Sequence, residues 1–290
     1  MLDLIVVPLV AALVILAINA YFGLHIIRRG VIFVDLAFAQ IAALGSTVAF
    51  LFGSHADSPL SYVLAFAFTL LGALLFSFTR VEHGTVTQEA YIGISYVVAS
   101  AAVILLSSFT PEGAEHIKET LTGSLIWATW PAVLRMTGAY AIIALFLWLA
   151  RGPMIAVTFR PQSVRNVRLW DFIFYVAFGI AITFSVNLAG VLLIFSTLVI
   201  PAVIAFLYTQ RLVPALIIAW VSGAIAIIGG VAISFAWDIT TGPLLVCTFG
   251  VVLVLAAALR PLIRRVVRPR KAPAMEAAAS GVTPVPPAAR

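Results

Sequence analysis

Long apolar stretches alternate with short polar segments along almost the whole chain. A helix needs about 20 apolar residues to cross the hydrocarbon core of a bilayer. The pattern predicts an all-α polytopic membrane protein with about nine transmembrane helices. The nine stretches are Leu4–Ile26, Val31–Phe52, Leu60–Phe78, Ala90–Phe109, Ala132–Ala150, Phe172–Leu188, Val191–Leu207, Ala215–Ala236 and Leu244–Leu262.

The composition supports a membrane protein and excludes an ordinary soluble one. Of the 290 residues, 63% are hydrophobic and only 10% are charged, whereas soluble domains carry about 25% charged residues. So few charges cannot cover a water-facing surface. The single Cys247 lies inside an apolar stretch, which excludes a disulfide framework and a cysteine-based metal site.

The basic residues predict the orientation in the membrane. Lys and Arg concentrate in alternate connections and in the tail, and such connections stay in the cytoplasm. The N-terminus is then outside and the C-terminus inside, as an odd number of spans requires. Residues 1–265 form the transmembrane domain, and residues 266–290 form a basic, then Ala/Pro-rich, disordered cytoplasmic tail. The net charge of +6 therefore reports topology and not a nucleic-acid-binding patch.

No constellation in the sequence predicts an enzyme. It contains no Gly-rich phosphate loop with Lys, no HExxH and no Ser/His/Asp arrangement at an informative spacing. The chain is therefore expected to hydrolyse no ATP and to hold no cofactor. Active transport would take its energy from an ion gradient or from a separate ATPase.

Asp35 is an ionisable residue inside a predicted span, which marks a candidate functional site. Gln40 lies about 140° around the helix from Asp35, so the two do not share a face. Asp35 lies about 6 Å in from Val31 along the axis and Gln40 about 14 Å, near the midplane. Asp35 is interpreted either as a helix-end acid paired with Arg28 or Arg29, or as a gate or ligand. Gln40 is interpreted either as a hydrogen-bonding group between helices or as a path-lining one.

The remaining polar candidates are fewer. Ser196 supplies a hydroxyl within a span, and Asp238 lies at the outer end of the eighth span, as a turn residue or at the mouth of a path. The histidines are scattered, and each, His25 included, is more typical of a solvated surface.

Six segments, in order, resemble the permease subunits of zinc, manganese and iron ABC importers, a family related to the cobalamin and siderophore permeases. The resemblance covers roughly residues 1–265, and the best single match is the segment beginning NLAG. The segments are IIRRGVIFVDLAFAQIAALG, EAYIGISYVVAS, LTGSLIWAT, AVTFRPQSVRNVRLWD, NLAGVLLIFSTLVIPAVIAFLY and SFAWDITTGPLLV.

The resemblance implies a permease in the bacterial inner membrane that works as a homodimer, with the transport path at the dimer interface. Two cytoplasmic ABC ATPase subunits and an extracytoplasmic metal-binding protein are its implied partners, and a divalent metal is its substrate. Counting back from Gly45 places Gln40 where the family has a histidine, and Asp35 one residue from the family's acid. The resemblance places the metal path at Gln40, Asp35, Asp238 and Ser196, and the ATPase contact at Phe159, Arg160, Pro161, Gln162, Ser163, Val164 and Arg165.

Three other functions stay open from the sequence. A permease for a metal chelate of the siderophore or cobalamin kind shares the same architecture. An ion-coupled secondary carrier usually needs ionisable groups at the midplane and internal repeats, and the near absence of midplane charge disfavours it. A non-transporting membrane scaffold would have no use for a cytoplasmic coupling segment.

Overall fold

The computed structural model describes residues 2–54, 58–80, 86–109, 123 and 125–267. Within these ranges the chain is helical, with two short 3-10 turns at Leu125–Trp127 and Pro161–Ser163. The helices are α1 (Leu2–Arg29), α2 (Val34–Leu51), α3 (Pro59–Phe78), α4 (Gln88–Ser107), α5 (Trp130–Leu149), α6 (Arg151–Phe159), α7 (Val167–Ala189), α8 (Val191–Tyr208), α9 (Leu212–Trp237) and α10 (Thr241–Val267).

The nine-span prediction is confirmed for the described part of the chain. Every helix there except α6 is long and apolar enough to cross a membrane. Several helices extend beyond the predicted apolar limits: α1 continues through Arg29, and α10 through Val267. A helix can continue beyond the apolar stretch because its backbone hydrogen bonds are satisfied within the helix. Residues 268–290, most of the predicted tail, lie outside the described residues.

The helices form two groups, and a central helix, α7, contacts both of them. α2 packs on α3 and α4, while α8 packs on α1, α9 and α10. α7 packs along α3 and also contacts α1, α2, α5 and α8, so it joins the two groups. The core around α7 is aromatic: Phe38 of α2 meets Phe76 of α3 edge to face at 5.2 Å and Phe178 of α7 at 5.7 Å.

Small residues allow the closest helix contacts. A Cβ on Gly45 would lie 2.5 Å from the Leu64 carbonyl oxygen, so α2 and α3 touch backbone to backbone there. In a bilayer the lipid chains are as apolar as the side chains, and close van der Waals packing of this kind drives helix association. The sequence segment ending in Gly45 is therefore a packing motif as well as a candidate path segment.

The connections between helices have defined shapes. α7 and α8 are joined by Gly190 alone, whose φ of +76° favours glycine. Most of the connection between α4 and α5 lies outside the described residues. Its last part forms the Leu125–Trp127 turn, in which Leu125 is buried against the core and Trp127 is 76% exposed. An exposed Trp next to the end of a span is typical of a membrane-interface anchor.

Candidate transport path and cytoplasmic face

Asp35 lies in the first turn of α2 and is only 2% exposed. Neither of its carboxylate oxygens accepts a hydrogen bond. The predicted pairing with Arg28 or Arg29 is wrong, because both arginines are engaged elsewhere: Arg28 donates to Gln210 Oε1 at 2.5 Å and Arg29 to Asp171 Oδ1 at 2.7 Å. The positive end of the α2 helix dipole stabilises a negative charge on this carboxylate.

Glu89, which sequence reasoning did not select, lies beside Asp35. It occupies the first turn of α4, and its Oε1 accepts the backbone N–H of Phe33 at 3.1 Å. Its Oε2 is buried and accepts no hydrogen bond, and its charge interacts with that of Asp35. Glu89 opens the segment EAYIGISYVVAS, which carries part of the family resemblance, but an acid at a helix start is also explained by the helix dipole, and it was not selected as a site residue. Two carboxylates thus share the cytoplasmic ends of α2 and α4.

Gln40 is 7% exposed and lies in the second turn of α2. α2 contacts α8, the central helix of the second group. At the start of α2, the ring of the N-cap residue Phe33 stacks on Phe195 of α8 at a centroid distance of 6.2 Å. Gln40 therefore lies buried in a helix that contacts both helix groups.

The adjoining part of α8 carries buried hydroxyls. Ser196 is 2% exposed and its Oγ donates to the Leu192 carbonyl at 2.9 Å. Asn19 of α1 donates to Thr197 Oγ1 at 3.0 Å, and its own Oδ1 is buried without a partner. Among the described residues, no hydrogen bond joins Gln40 to Ser196. The polar groups of α2 and α8 thus belong to neighbouring helices but are not bonded to each other.

Asp238 lies at the opposite, outer end of the bundle. It ends α9 in a left-handed conformation with φ +53° and is exposed. The turn is held by Ser234 Oγ, which donates to the Ile239 carbonyl at 2.6 Å and lies 2.8 Å from Thr241 Oγ1. This is the predicted turn geometry. The structure does not bring Asp238 together with Asp35.

The cytoplasmic segment after α5 is an ordered surface feature. α6 buries Met154 and Val157 against the bundle, and the Pro161–Ser163 turn follows it. A groove of about 470 Å³ separates α6 from the α8–α9 connection. It is lined by Gly152, Ile155, Ala156, Phe159, Arg160, Ser163, Gln210 and Leu212. Three of the residues predicted to contact an ATPase therefore face one groove.

A buried cluster of charged side chains contacts the last turn of α6. Asp171 of α7 receives hydrogen bonds from Arg29 of α1 and from Arg80, two residues beyond α3. We name Arg29, Arg80 and Asp171 the arginine clasp. His25, predicted to lie on a solvated surface, is fully buried beside it, with Nδ1 2.8 Å from Thr158 Oγ1. Sequence reasoning missed the clasp because its members are 51 and 91 residues apart along the chain.

The chain is similar to known transport proteins over most of its length. The model of the ABC 3 transport family matches residues 1–260. A manganese import system permease protein ScaB of Streptococcus parasanguinis is 22% identical, with 89% of this chain and 91% of that protein covered. A manganese transport system membrane protein MntC of Halalkalibacterium halodurans is 23% identical, with 86% of this chain and 84% of that protein covered.

Solved structures share the fold. PsaBC from Streptococcus pneumoniae in complex with Fab superposes with a TM-score of 0.71 at 20% identity, with 86% of this chain and 89% of that chain covered. An inward-facing putative metal-chelate type ABC transporter gives a TM-score of 0.60 at 18% identity, with 90% and 84% covered. The expected relation to ABC permease architecture is confirmed. With nine membrane-spanning helices among the described residues and a family match over residues 1–260, this multi-pass membrane protein belongs to the ABC 3 transport family.

Proposed function

We propose that the chain is the membrane permease of an ATP-driven manganese importer. The observation that carries the proposal is the likeness of the chain, over most of its length, to permeases named for manganese import. The groove on the cytoplasmic side of the bundle offers a place for an ATPase. The sequence alone left zinc, manganese and iron open, and the named relatives favour manganese. Its sequence contains no phosphate-binding loop, so in this proposal a separate subunit hydrolyses the ATP.

The side chains on α2 suit a hard divalent ion. Mn²⁺ prefers carboxylate and carbonyl oxygen ligands, whereas zinc is bound readily by imidazole and thiolate. Gln40 offers an amide oxygen near the midplane, and Asp35 with Glu89 offers carboxylates at the cytoplasmic end. In the proposed path the ion enters near Asp238, passes Gln40 and the α8 hydroxyls, including Ser196, and leaves past the two acids. Because each level of this path offers only a few ligands, the ion would be bound weakly enough to be released.

The proposed partners follow from the same surfaces. An ABC ATPase subunit docks in the groove beside α6 and contacts the permease segment from Phe159 to Arg165. A second copy of the chain completes the transporter, and an extracytoplasmic metal-binding protein delivers the ion at the outer ends of the helices. Two ATPases closing on ATP would move both α6 segments and so alternate access to the path.

Uptake into proteoliposomes tests the proposal. Permease and ATPase are reconstituted together, the binding protein loaded with radiolabelled Mn²⁺ is supplied outside, and ATP is enclosed on the ATPase side. We expect uptake that requires ATP and persists when ion gradients are collapsed. Uptake driven by a gradient without ATP would instead identify a secondary carrier, and uptake of only a chelated metal would identify a chelate permease.

Replacing Gln40 by leucine tests the path. The change keeps the volume similar but removes the amide oxygen from the ion, and a hydrogen bond or contact to a charged species is worth about 1.5–3 kcal/mol. We expect the manganese concentration for half-maximal uptake to rise about tenfold, in line with that loss. Thr47→Val is the matched control on the same helix, because Thr47 Oγ1 bonds only the Ala43 carbonyl of its own helix. Equal uptake by Gln40→Leu and wild type would remove Gln40 from the path.

Charge reversal in the cytoplasmic segment tests the ATPase contact. Arg160 and Arg165 are exposed at or beside the groove, so Arg160→Glu with Arg165→Glu changes docking without disturbing the core. We expect the amount of ATPase that co-purifies with the permease to fall about tenfold, since like-charge contacts at an interface cost several kcal/mol. Arg135→Glu, an exposed arginine near the outer end of α5, is the control. Unchanged co-purification of the double variant would place the contact elsewhere.

A further inference from the structure

The arginine clasp gathers parts of the chain that otherwise belong to separate helix groups. Arg29 ends α1, which packs with α8, whereas Arg80 follows α3, which packs with α2 and α7. Asp171 accepts Arg29 Nη1 on Oδ1 at 2.7 Å and Arg80 Nη1 on Oδ2 at 2.6 Å. The one carboxylate of α7 thus holds an arginine from each group at the cytoplasmic ends of the helices.

The clasp is buried and geometrically specified. The side chains of Asp171 and Arg29 are 0% and 4% exposed, and that of Arg80 is 19% exposed. The Arg29 guanidinium also lies over the Phe174 ring, 3.7 Å from its centroid. Guanidinium groups present several donors in a fixed plane, so a shared carboxylate defines their mutual orientation. When one of the attached helices moves, the three side chains must therefore either move together or lose their ion pairs.

The last turn of α6 is bonded to the same cluster. Arg80 Nη2 donates to the Val157 carbonyl at 3.2 Å, and Arg29 Nε donates to Thr158 Oγ1 at 3.1 Å. His25 Nδ1 lies 2.8 Å from that same hydroxyl. Thr158 directly precedes Phe159, with which the groove-facing segment begins. Any displacement of that segment therefore reaches the clasp through Val157 and Thr158.

We propose that the arginine clasp, joined to α6 through Thr158, is the mechanical joint that transmits ATPase movement from the groove to both helix groups. Its members are positioning residues for the coupling of ATP hydrolysis to transport, and they touch neither ATP nor the ion. The inference rests on the proposed docking of an ATPase beside α6. The clasp would be the route by which docking of the ATPase acts on the membrane helices.

Thr158→Val is the sharpest test, because valine matches threonine in shape and removes only the hydroxyl that joins α6 to Arg29 and His25. The readout is the number of ATP molecules hydrolysed per Mn²⁺ delivered by the reconstituted complex. We expect this ratio to rise about three- to tenfold, the effect of weakening an element that couples two sites. Thr158→Ser keeps the hydroxyl and should restore the wild-type ratio. Arg80→Lys, which keeps the charge but loses the planar fork, should raise the ratio as well.

Thr137→Val controls for the loss of a threonine hydroxyl from a membrane helix, since among the described residues Thr137 Oγ1 donates to the Val133 carbonyl of its own helix, α5. Its ratio should equal that of wild type, and ATPase co-purification should be normal for every variant. An unchanged ratio in both Thr158→Val and Arg80→Lys would overturn the proposal. So would loss of bound ATPase from Thr158→Val, since the hydroxyl would then serve docking alone. If the wild-type complex itself shows no ATP-dependent uptake, the proposed function has failed and the clasp proposal falls with it.

Discussion

Asp171→Asn is expected to lower the free energy of unfolding by about 3–5 kcal/mol, the cost of removing one partner from a buried ion pair. Asp171 is the only carboxylate bonded to Arg29 and Arg80 among the described residues. Asparagine has nearly the same shape but no charge, so the substitution leaves two guanidinium groups together without a counter-charge. Thermal unfolding of the purified protein in detergent measures the loss, and the yield of folded protein should fall in parallel.

Asp238→Asn is the matched control for this prediction. Asp238 is exposed, and asparagine tolerates the left-handed conformation that ends α9. We expect its unfolding temperature to stay close to that of wild type, since exposed substitutions away from special features change stability by about 0.5 kcal/mol or less. Equal stability of the two variants would show that the clasp contributes no net stabilisation.

Gly23→Ala is expected to give the second large effect, by separating α1 from α8. A Cβ on Gly23 would lie 2.0 Å from the Leu198 carbonyl oxygen and 3.2 Å from the Ala202 Cβ. The nearest atom belongs to backbone, so the two helices must move apart to admit the methyl group. Overpacking of this kind costs about 1–3 kcal/mol, more than the roughly 1 kcal/mol by which alanine exceeds glycine in helix propensity.

Gly93→Ala separates that packing effect from the propensity effect. Gly93 lies in α4, and a Cβ there would meet no atom within 4 Å. We expect this variant to unfold at or slightly above the wild-type temperature, while Gly23→Ala unfolds clearly below it. If Gly23→Ala were as stable as Gly93→Ala, the close contact between α1 and α8 would not exist in the membrane protein.

The membrane architecture was predictable from the sequence because each span is a local property. A run of apolar residues of bilayer length forms a helix wherever it inserts, since the lipid offers its backbone no other hydrogen-bond partner. The nine spans found among the described residues follow from this rule. The groove beside α6 was only partly predictable: the sequence marked the segment from Phe159 to Arg165, but the α8–α9 connection that forms the other wall is distant in the chain.

The candidate site was less predictable, because partner choice is decided by packing. Asp35 was expected near Arg28 and Arg29, which are only seven and six residues away in the chain. Instead the α1–α2 turn directs Arg29 to Asp171, 142 residues on, and brings Glu89 to the start of α2. His25 was expected on a solvated surface, but the rings of Tyr21, Phe159 and Phe174 pack around it. Phe159 and Phe174 are distant in the chain, so only packing could reveal this burial.

Hydropathy and charge in the sequence were enough to predict a polytopic membrane protein, with the nine spans found among the described residues and with its basic connections in the cytoplasm, and its motifs resemble those of metal-importer permeases. Hydropathy and charge act residue by residue, so no knowledge of contacts was needed. Which charges pair with one another could be seen only in the folded structure. Arg29 and Arg80 share Asp171, while Asp35 and Glu89, at the starts of α2 and α4, form no salt bridge with any described residue. Coulomb energy in a low-dielectric interior depends on separations of a few ångströms, and helix packing alone sets those distances.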